Sequence, residues 1–460
     1  MKYLDLKPVS FKSPCFIMAV HILLSEWDFY FHKTEGRITI VKNKQASEFK
    51  RNYFDNPKNN SKFITIKSLF TSKHLNKNNL KNMKKYKIGI VGYGGFGKFL
   101  YHWWSKLENV EVVAIADSGK YPPQNIDDCR TYHDWKDLIN DAEIDIVGIV
   151  TPPGLHAEMA CAAMKAGKHV LLEKPVAISE ESAQQILDTQ KETGIVITVN
   201  HMIRYNPIIQ NFMELGQSGA LGKLRHVAVN NYAQDAALPP DHWFWNEESS
   251  GGILVEHGVH FFDIVNALGS QQFTKVYGTS HHRNEIQRDR VAAMVLYNEG
   301  LIANYYHAFS GPGFFEQTTI NLAYDLARVE IEGWMPMKGT VKAMVNKQTK
   351  EQLGSIPGWT ITKTDALDKM RDVSQPEDCG AYNAPSAEKE LTYCGGIAYD
   401  VDEMISGTFE IYKTKDEVYG KCVQSILSDV IQKIENKNHI LTISIENAFE
   451  ALKIAILASE

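Results

Sequence analysis

From Tyr86 onward, short β-branched apolar runs alternate with segments of helical apolar spacing, the rhythm of a parallel sheet wrapped by helices. KIGIV (87–91), VEVVAIAD (110–117), CRTYH (129–133), IDIVGIV (144–150), HVLLE (169–173) and IVITVN (195–200) read as six strands. Between them, GKFLYHWWSKL (97–107), DWKDLIND, LHAEMACAAMKAG (155–167) and SEESAQQILDTQKETG (179–194) read as helices. Such runs, apolar on consecutive positions, are buried on both faces. The result is a doubly wound domain.

After Pro207 the rhythm changes. A helix over 208–219 leads into runs with period-two alternation at 223–233, 274–282, 290–298, 301–309, 317–325 and 327–334. Several are joined by turns as short as NEG (298–300), which makes them antiparallel neighbours. One helix, VEHGVHFFDIVNALG (255–269), interrupts them, and two more close the chain at 416–434 and 443–459. The expected fold class is α/β, with a doubly wound parallel sheet followed by an α+β domain on a large open, mainly antiparallel sheet. The expected boundaries are 83–205 and 206–460, with a polar excursion at 346–396.

Composition adds a third region. Apolar residues make up 44% and charged residues 23% of 460, an ordinary globular balance. Residues 1–82 carry 15 Lys plus Arg against 6 Asp plus Glu, whereas the remainder carries 34 against 49. The leading stretch has Asn- and Lys-rich runs such as NPKNNSK and lacks the periodicity that buries a core. It reads as a linker or an over-extended start before Met83 rather than a domain. PCFIMAVHILL (14–24) resembles the apolar part of an export signal but is followed by SEWDFYF, without a small-residue cleavage site, and is too short to span a bilayer. The six cysteines form no CxxC pair, so a reduced, cytoplasmic chain is the simplest expectation. With a net charge of -6, no affinity for nucleic acid or membrane is expected.

Chemistry enters at GYGGFG (92–97). With 31 glycines in the chain, chance supplies about 0.14 GxGxxG patterns, so the bare motif is weak. Its place between a strand and a helix changes the odds. Gly92 permits the turn, Gly94 and Gly95 let the backbone approach a pyrophosphate, Phe96 opens the helix, and Gly97 lets helix and strand pack closely. Asp117 ends the next strand, where a carboxylate binds adenosine ribose hydroxyls and repels a 2′-phosphate. The cofactor expected is NAD or NADP, with NAD favoured. Ser118 and Lys120 keep the phosphate-bearing form open.

Four stretches, GYGGFG, TPPGLH (151–156), LEKPVA (172–177) and GGILVEHGVH (251–260), resemble the glucose-fructose oxidoreductase/inositol dehydrogenase/MocA family over almost all of 83–460. The resemblance implies a Rossmann-type cofactor domain, with Thr151, His156 and Glu173 near the cofactor. It further implies a catalytic Lys174, a cis Lys174–Pro175 bond, and His260 as proton acceptor oriented by an acid. The family usually has aspartate where Glu256 stands here.

Glu256 and His260 are four apart and share a helical face; imidazole suits proton transfer near neutrality. A buried core histidine is the alternative for His260. His257 points elsewhere on a regular helix, and Asp263 is either a structural partner or a second orienter. Arg204 stands at the hinge and is expected to line the substrate cleft. Trp243 and Trp245, in DHWFWN, are either a sugar platform or loop packing. A metal site from His242, His257 and His260 is discounted because the spacing matches no ligand motif.

The leading expectation is therefore an NAD(P)-dependent dehydrogenase acting on a sugar, cyclitol or related polyol. The rivals are a non-catalytic cofactor-binding regulator and a reductase of a non-sugar carbonyl or imine. The open sheet, expected to leave an apolar face, predicts a homo-oligomer.

Overall fold

The computed structural model describes residues 29–34, 37–42, 64–65, 84–119, 126, 129–367 and 391–460; the apolar run at 14–24 lies outside them. The chain divides into two units, Met1–Lys84 and Lys85–Glu460. In the first, β1 (Phe29–Thr34) pairs antiparallel with β2 (Arg37–Lys42) and β3 (Ile64–Thr65). This stretch, expected to be a linker, thus contains a small sheet.

The second unit begins with a six-stranded parallel sheet in the order β6-β5-β4-β7-β8-β9. Its strands are β4 (Tyr86–Val91), β5 (Val110–Ala116), β6 (Arg130–Tyr132), β7 (Ile146–Ile149), β8 (His169–Leu172) and β9 (Ile197–Val199). Ile88, Ile90, Ile146, Val147, Val170 and Leu172 have no exposed surface, because helices cover both faces: α1 (Gly95–Trp104), α2 (Trp135–Ile139), α3 (His156–Lys165) and α4 (Glu180–Thr193). Local signals set the limits of α4. The Ser179 hydroxyl accepts from Ser182 N at 3.2 Å, and Gly194 ends the helix at φ 66°.

Beyond α5 (Pro207–Gln217) lies a nine-stranded sheet in the order β11-β12-β13-β10-β14-β15-β16-β20-β17. The strands are β10 (Leu224–Gln234), β11 (Phe273–His282), β12 (Arg288–Tyr297), β13 (Ile302–Gly311), β14 (Gln317–Tyr324), β15 (Ala327–Glu332), β16 (Lys338–Val345), β17 (Thr360–Ala366) and β20 (Glu403–Glu410). Only β10 and β13 run parallel; the other pairings are antiparallel. One face buries Val227, Val295, Ile320, Ile331 and Ile405 beneath helices, including α6 (Val259–Gly269). The opposite face carries exposed Asn304, Arg328, Glu330, Thr340 and Lys342, so it is more polar than the sequence pattern suggested.

The excursion at 346–396 also needs correction. Its described parts hold a helix, α7 (Lys347–Leu353), the edge strand β17, and β18 (Leu391–Cys394), which pairs with β19 (Ile397–Asp400) just beyond the excursion. β17 hid in the sequence because its first five residues, at the sheet edge, are exposed and mostly polar.

The last two helices return to the first sheet. Trp104 Nε1, in α1, donates to Val423 O of α8 (Lys415–Glu435) at 3.0 Å, and Gln424 Nε2 donates to Trp103 O at 2.7 Å. A Cβ on Gly420 would meet the Trp103 ring at 2.0 Å, so only glycine allows α8 this close. α9 (Ile445–Ser459) packs on α6, α4, β9 and β11.

Arg204, just after β9, joins these parts and does not line the substrate cleft. Its guanidinium makes two 2.6 Å bonds to the Asp263 carboxylate of α6 and donates to Thr442 O at 3.1 Å. Asp263 is the structural partner. Both side chains are almost fully buried, so the charges are held by each other and by the carbonyl. Among the described residues no helix is long and apolar enough to cross a membrane.

Removing one partner of a buried pair leaves an uncompensated charge. Arg204→Ala is therefore expected to lower stability by about 3–5 kcal/mol, read as a shift in the urea midpoint; an unchanged midpoint would show that the pair is not holding the parts together.

Candidate active site

The site forms where three connections meet: the glycine loop between β4 and α1, the turn after β8, and the residues before α6. They surround a cavity of about 450 Å³. Gly92 stands at φ +93°, and a Cβ there would sit 2.2 Å from Val150 O. A Cβ on Gly97 would sit 2.1 Å from Gly92 O. Both glycines are required by the fold itself. Gly94 and Gly95 differ: a Cβ on either would meet nothing within 4 Å, and both border the cavity. α1 starts there with no side-chain cap, leaving main-chain N–H groups at the positive end of the helix. These residues fit a dinucleotide pyrophosphate.

Asp117, at the end of β5, lies beside this loop. Its Oδ2 accepts from Tyr93 N at 2.7 Å and its Oδ1 from Gly119 N at 2.8 Å. His156 lies beneath the cavity instead of lining it. Its ring nitrogens lie 2.7 Å from Pro175 O and 2.9 Å from Thr151 O; a neutral ring donates to one of these two carbonyls at a time. Burial outweighs those two carbonyls and lowers its pKa to about 4. Lys174–Pro175 is cis.

Lys174 Nζ donates to Glu256 Oε1 at 2.5 Å and to Glu256 O at 2.8 Å. Glu256 was expected to orient His260 but reaches across to Lys174. His260 Nδ1 is buried with no partner, leaving Nε2 for the cavity that His260 lines. Burial, then the Lys174 charge, pushes His260 well below 6.5, so the ring is neutral. Glu173 is buried and accepts from Asn200 Nδ2; burial raises its pKa to about 7.

Residues 254–258 form a π turn. Its wider winding brings His257 to the cavity beside Glu256 and His260, unlike the regular helix assumed from sequence. Trp243 lines the cavity, whereas Trp245 is buried and donates to Leu238 O at 3.1 Å. Trp334 and Tyr419 complete the wall, with rings 5.4 Å apart. Trp334 follows Gly333 at φ +97°, a turn inside the run 327–334 that alternation alone reads as strand. Tyr419 comes from α8, and no local motif marks it. Among the described residues, no group of three or more His, Cys, Asp or Glu is placed to hold a metal ion.

The sequence model of the oxidoreductase family with an NAD-binding Rossmann fold matches residues 86–201, and that of the GFO/IDH/MocA C-terminal domain matches 209–322. The chain belongs to the GFO/IDH/MocA family. It is 28% identical over 227 residues to the inositol 2-dehydrogenase/D-chiro-inositol 3-dehydrogenase of Lactiplantibacillus plantarum, covering 47% of this chain and 63% of that protein. It is 27% identical over 199 residues to the NAD(+) scyllo-inositol 2-dehydrogenase of Bacillus subtilis, covering 42% and 56%. The chain thus spans little more than half the length of these curated relatives. A solved levoglucosan dehydrogenase in complex with NADH and L-sorbose shares the fold at a TM-score of 0.60 and 17% identity, covering 82% of this chain and 96% of that one.

For this GFO/IDH/MocA protein the two kinds of glycine predict different failures. Gly94→Val should fold, with an unchanged melting midpoint, yet weaken NADH binding at least ~10-fold in a fluorescence titration, because the side chain enters the space a phosphate needs. Gly97→Val should fail to fold. Equal NADH affinity in wild type and Gly94→Val would remove this loop from cofactor binding.

Burial depresses five histidines, His156, His201, His257, His260 and His307. The unfolded chain protonates them near pH 6.5 and the folded chain only at lower pH, so unfolding takes up protons in between. Stability should be full above about pH 6.5 and fall towards pH 4. Melting curves from pH 7.5 to 5 check this, and His307→Phe should make the decline shallower by about one proton.

Proposed function

We propose that this protein is a nicotinamide-dependent oxidoreductase that interconverts a ring hydroxyl and a carbonyl on a sugar, cyclitol or related polyol. The observation that carries the reading is the convergence, on one cavity, of the open glycines 94 and 95, the Lys174–Glu256 pair and the neutral His260. A nicotinamide ring, when bound, supplies the hydride acceptor in oxidation and the donor in reduction.

The chain's own residues handle the proton and the developing charge. His260, kept neutral by burial, takes the hydroxyl proton at Nε2 in the tautomer that carries its own proton on Nδ1. The Lys174 ammonium, on a mostly buried side chain, stabilises negative charge growing on that oxygen. Glu256 holds the ammonium in place through two hydrogen bonds. Among the lining residues, this reading gives Glu173, Thr151, Gly95 and Phe96 to the cofactor and Trp243 to the substrate. Asp117 at the end of β5 favours NAD over NADP, since a 2′-phosphate would meet its carboxylate.

Association with a second copy completes the proposal. Tyr277 and Met294 face each other across β11 and β12, exposed, and Ile302 is exposed nearby on β13.

The test follows coenzyme absorbance with a panel of sugars and inositols, using NAD and NADP in parallel. Lys174→Ala should lower kcat by about 10²–10⁴-fold while NADH binding stays within about twofold of wild type. Turnover unchanged in Lys174→Ala would remove that lysine from the chemistry, and a wild-type protein inert with every sugar and both coenzymes would defeat the proposal.

A further inference from the structure

We propose that the cavity selects an uncharged hydroxylated ring, and that His257, seated against His307, is the specificity residue that contacts a hydroxyl beyond the reacting one. This rests on the oxidoreductase reading above and narrows its substrate class.

The charge of the lining comes first. Lys174 is the lining's sole Lys or Arg, and it donates to the Glu256 carboxylate and to Glu256 O. Glu173 adds a second acid on the cofactor side. Arg204 is spoken for by Asp263. Lys415 stands over the Trp334 ring at 5.8 Å, is solvent-exposed, and does not line the cavity. A carboxylate or phosphate on the substrate would therefore meet the Glu256 carboxylate, with Lys174 already paired to it and Glu173 only partly ionised near neutrality. The remaining surface, Trp243, Trp334 and Tyr419, offers flat apolar faces that suit the C–H side of a neutral ring.

His257 supplies the polar contact. It borders the cavity, and its Nε2 is buried without a partner, which leaves Nδ1 as the nitrogen able to face the cavity. Its ring stands edge-on to His307 at 5.5 Å and to Phe309 at 5.2 Å. His307, on β13, is fully buried with both ring nitrogens unpartnered. Buried polar atoms left without partners are costly, so the fold tolerates this arrangement where it fixes a ring edge towards the cavity. Burial, then the Lys174 charge, keeps His257 neutral, at about 3. The edge presented to a substrate is thus an uncharged imidazole, able to exchange a hydrogen bond with a hydroxyl.

Matched sets test the idea: a pyranose with its 6-carboxylate and 6-phosphate, and an inositol with its monophosphate. Wild type should favour the neutral member by about 100-fold in kcat/KM, the scale of an unscreened like charge at such range. His257→Leu should raise KM for the neutral member about 10-fold, with kcat and NADH affinity nearly unchanged, where a merely structural role would also lower kcat and NADH affinity. His257→Arg, which adds a cation, should shift the ratio towards the anionic members by at least 10-fold. Preference of wild type for an acid or phosphate, or an unchanged KM in His257→Leu, would overturn the inference. Calorimetric binding of the same sets to wild type reads the selectivity without turnover. Tighter binding of an anionic member sinks the selectivity alone, whereas absent turnover with neutral-selective binding sinks only the proposed activity.

Discussion

The bond from Lys174 to Glu256 ties two walls of the cavity together. Lys174 lies just beyond β8 of the parallel sheet, and Glu256 lies on the π turn leading into α6. At 2.5 Å, with both side chains mostly buried, the pair fixes the approach of the two halves at the point where a reacting oxygen would sit. With Glu256 turned towards Lys174 and His260 Nδ1 without a partner, imidazole basicity at His260 is set by desolvation and the nearby ammonium.

Desolvation shapes the rest of the site as well. His201 is edge-on to His260 at 5.9 Å, and His257 to His307 at 5.5 Å, so four imidazoles pass through the interior in sequence. In water such rings titrate near 6.5; here burial holds them neutral. The site can therefore be rich in basic side chains and still carry little positive charge apart from Lys174.

Much of this was legible in the residues. The consecutive apolar runs gave the parallel strands, because burial on both faces leaves no alternation to confuse them. The glycine loop and the EKP and EHGVH segments marked three corners of the cavity, since each combines a chemical need with a local backbone need. Arg204 misled, because a cation beside a hinge looks the same in sequence whether it meets solvent or a buried Asp263. His257 misled because the reading assumed a regular helix, and nothing in LVEHG announces a π turn. Trp334 and Tyr419 were missed for a different reason: their place depends on long-range packing that no local pattern records.

The return of α8 carries one more implication. Trp104 and Val423 touch across 319 positions of sequence, and Tyr419, one turn earlier, walls the cavity. During synthesis the glycine loop emerges from the ribosome long before the helix that roofs it. The nascent parallel sheet must persist with Phe99 and Trp103 uncovered until the final segment docks, a slow, non-local step. A chaperone that shelters exposed aromatic surface would find its client at that stage.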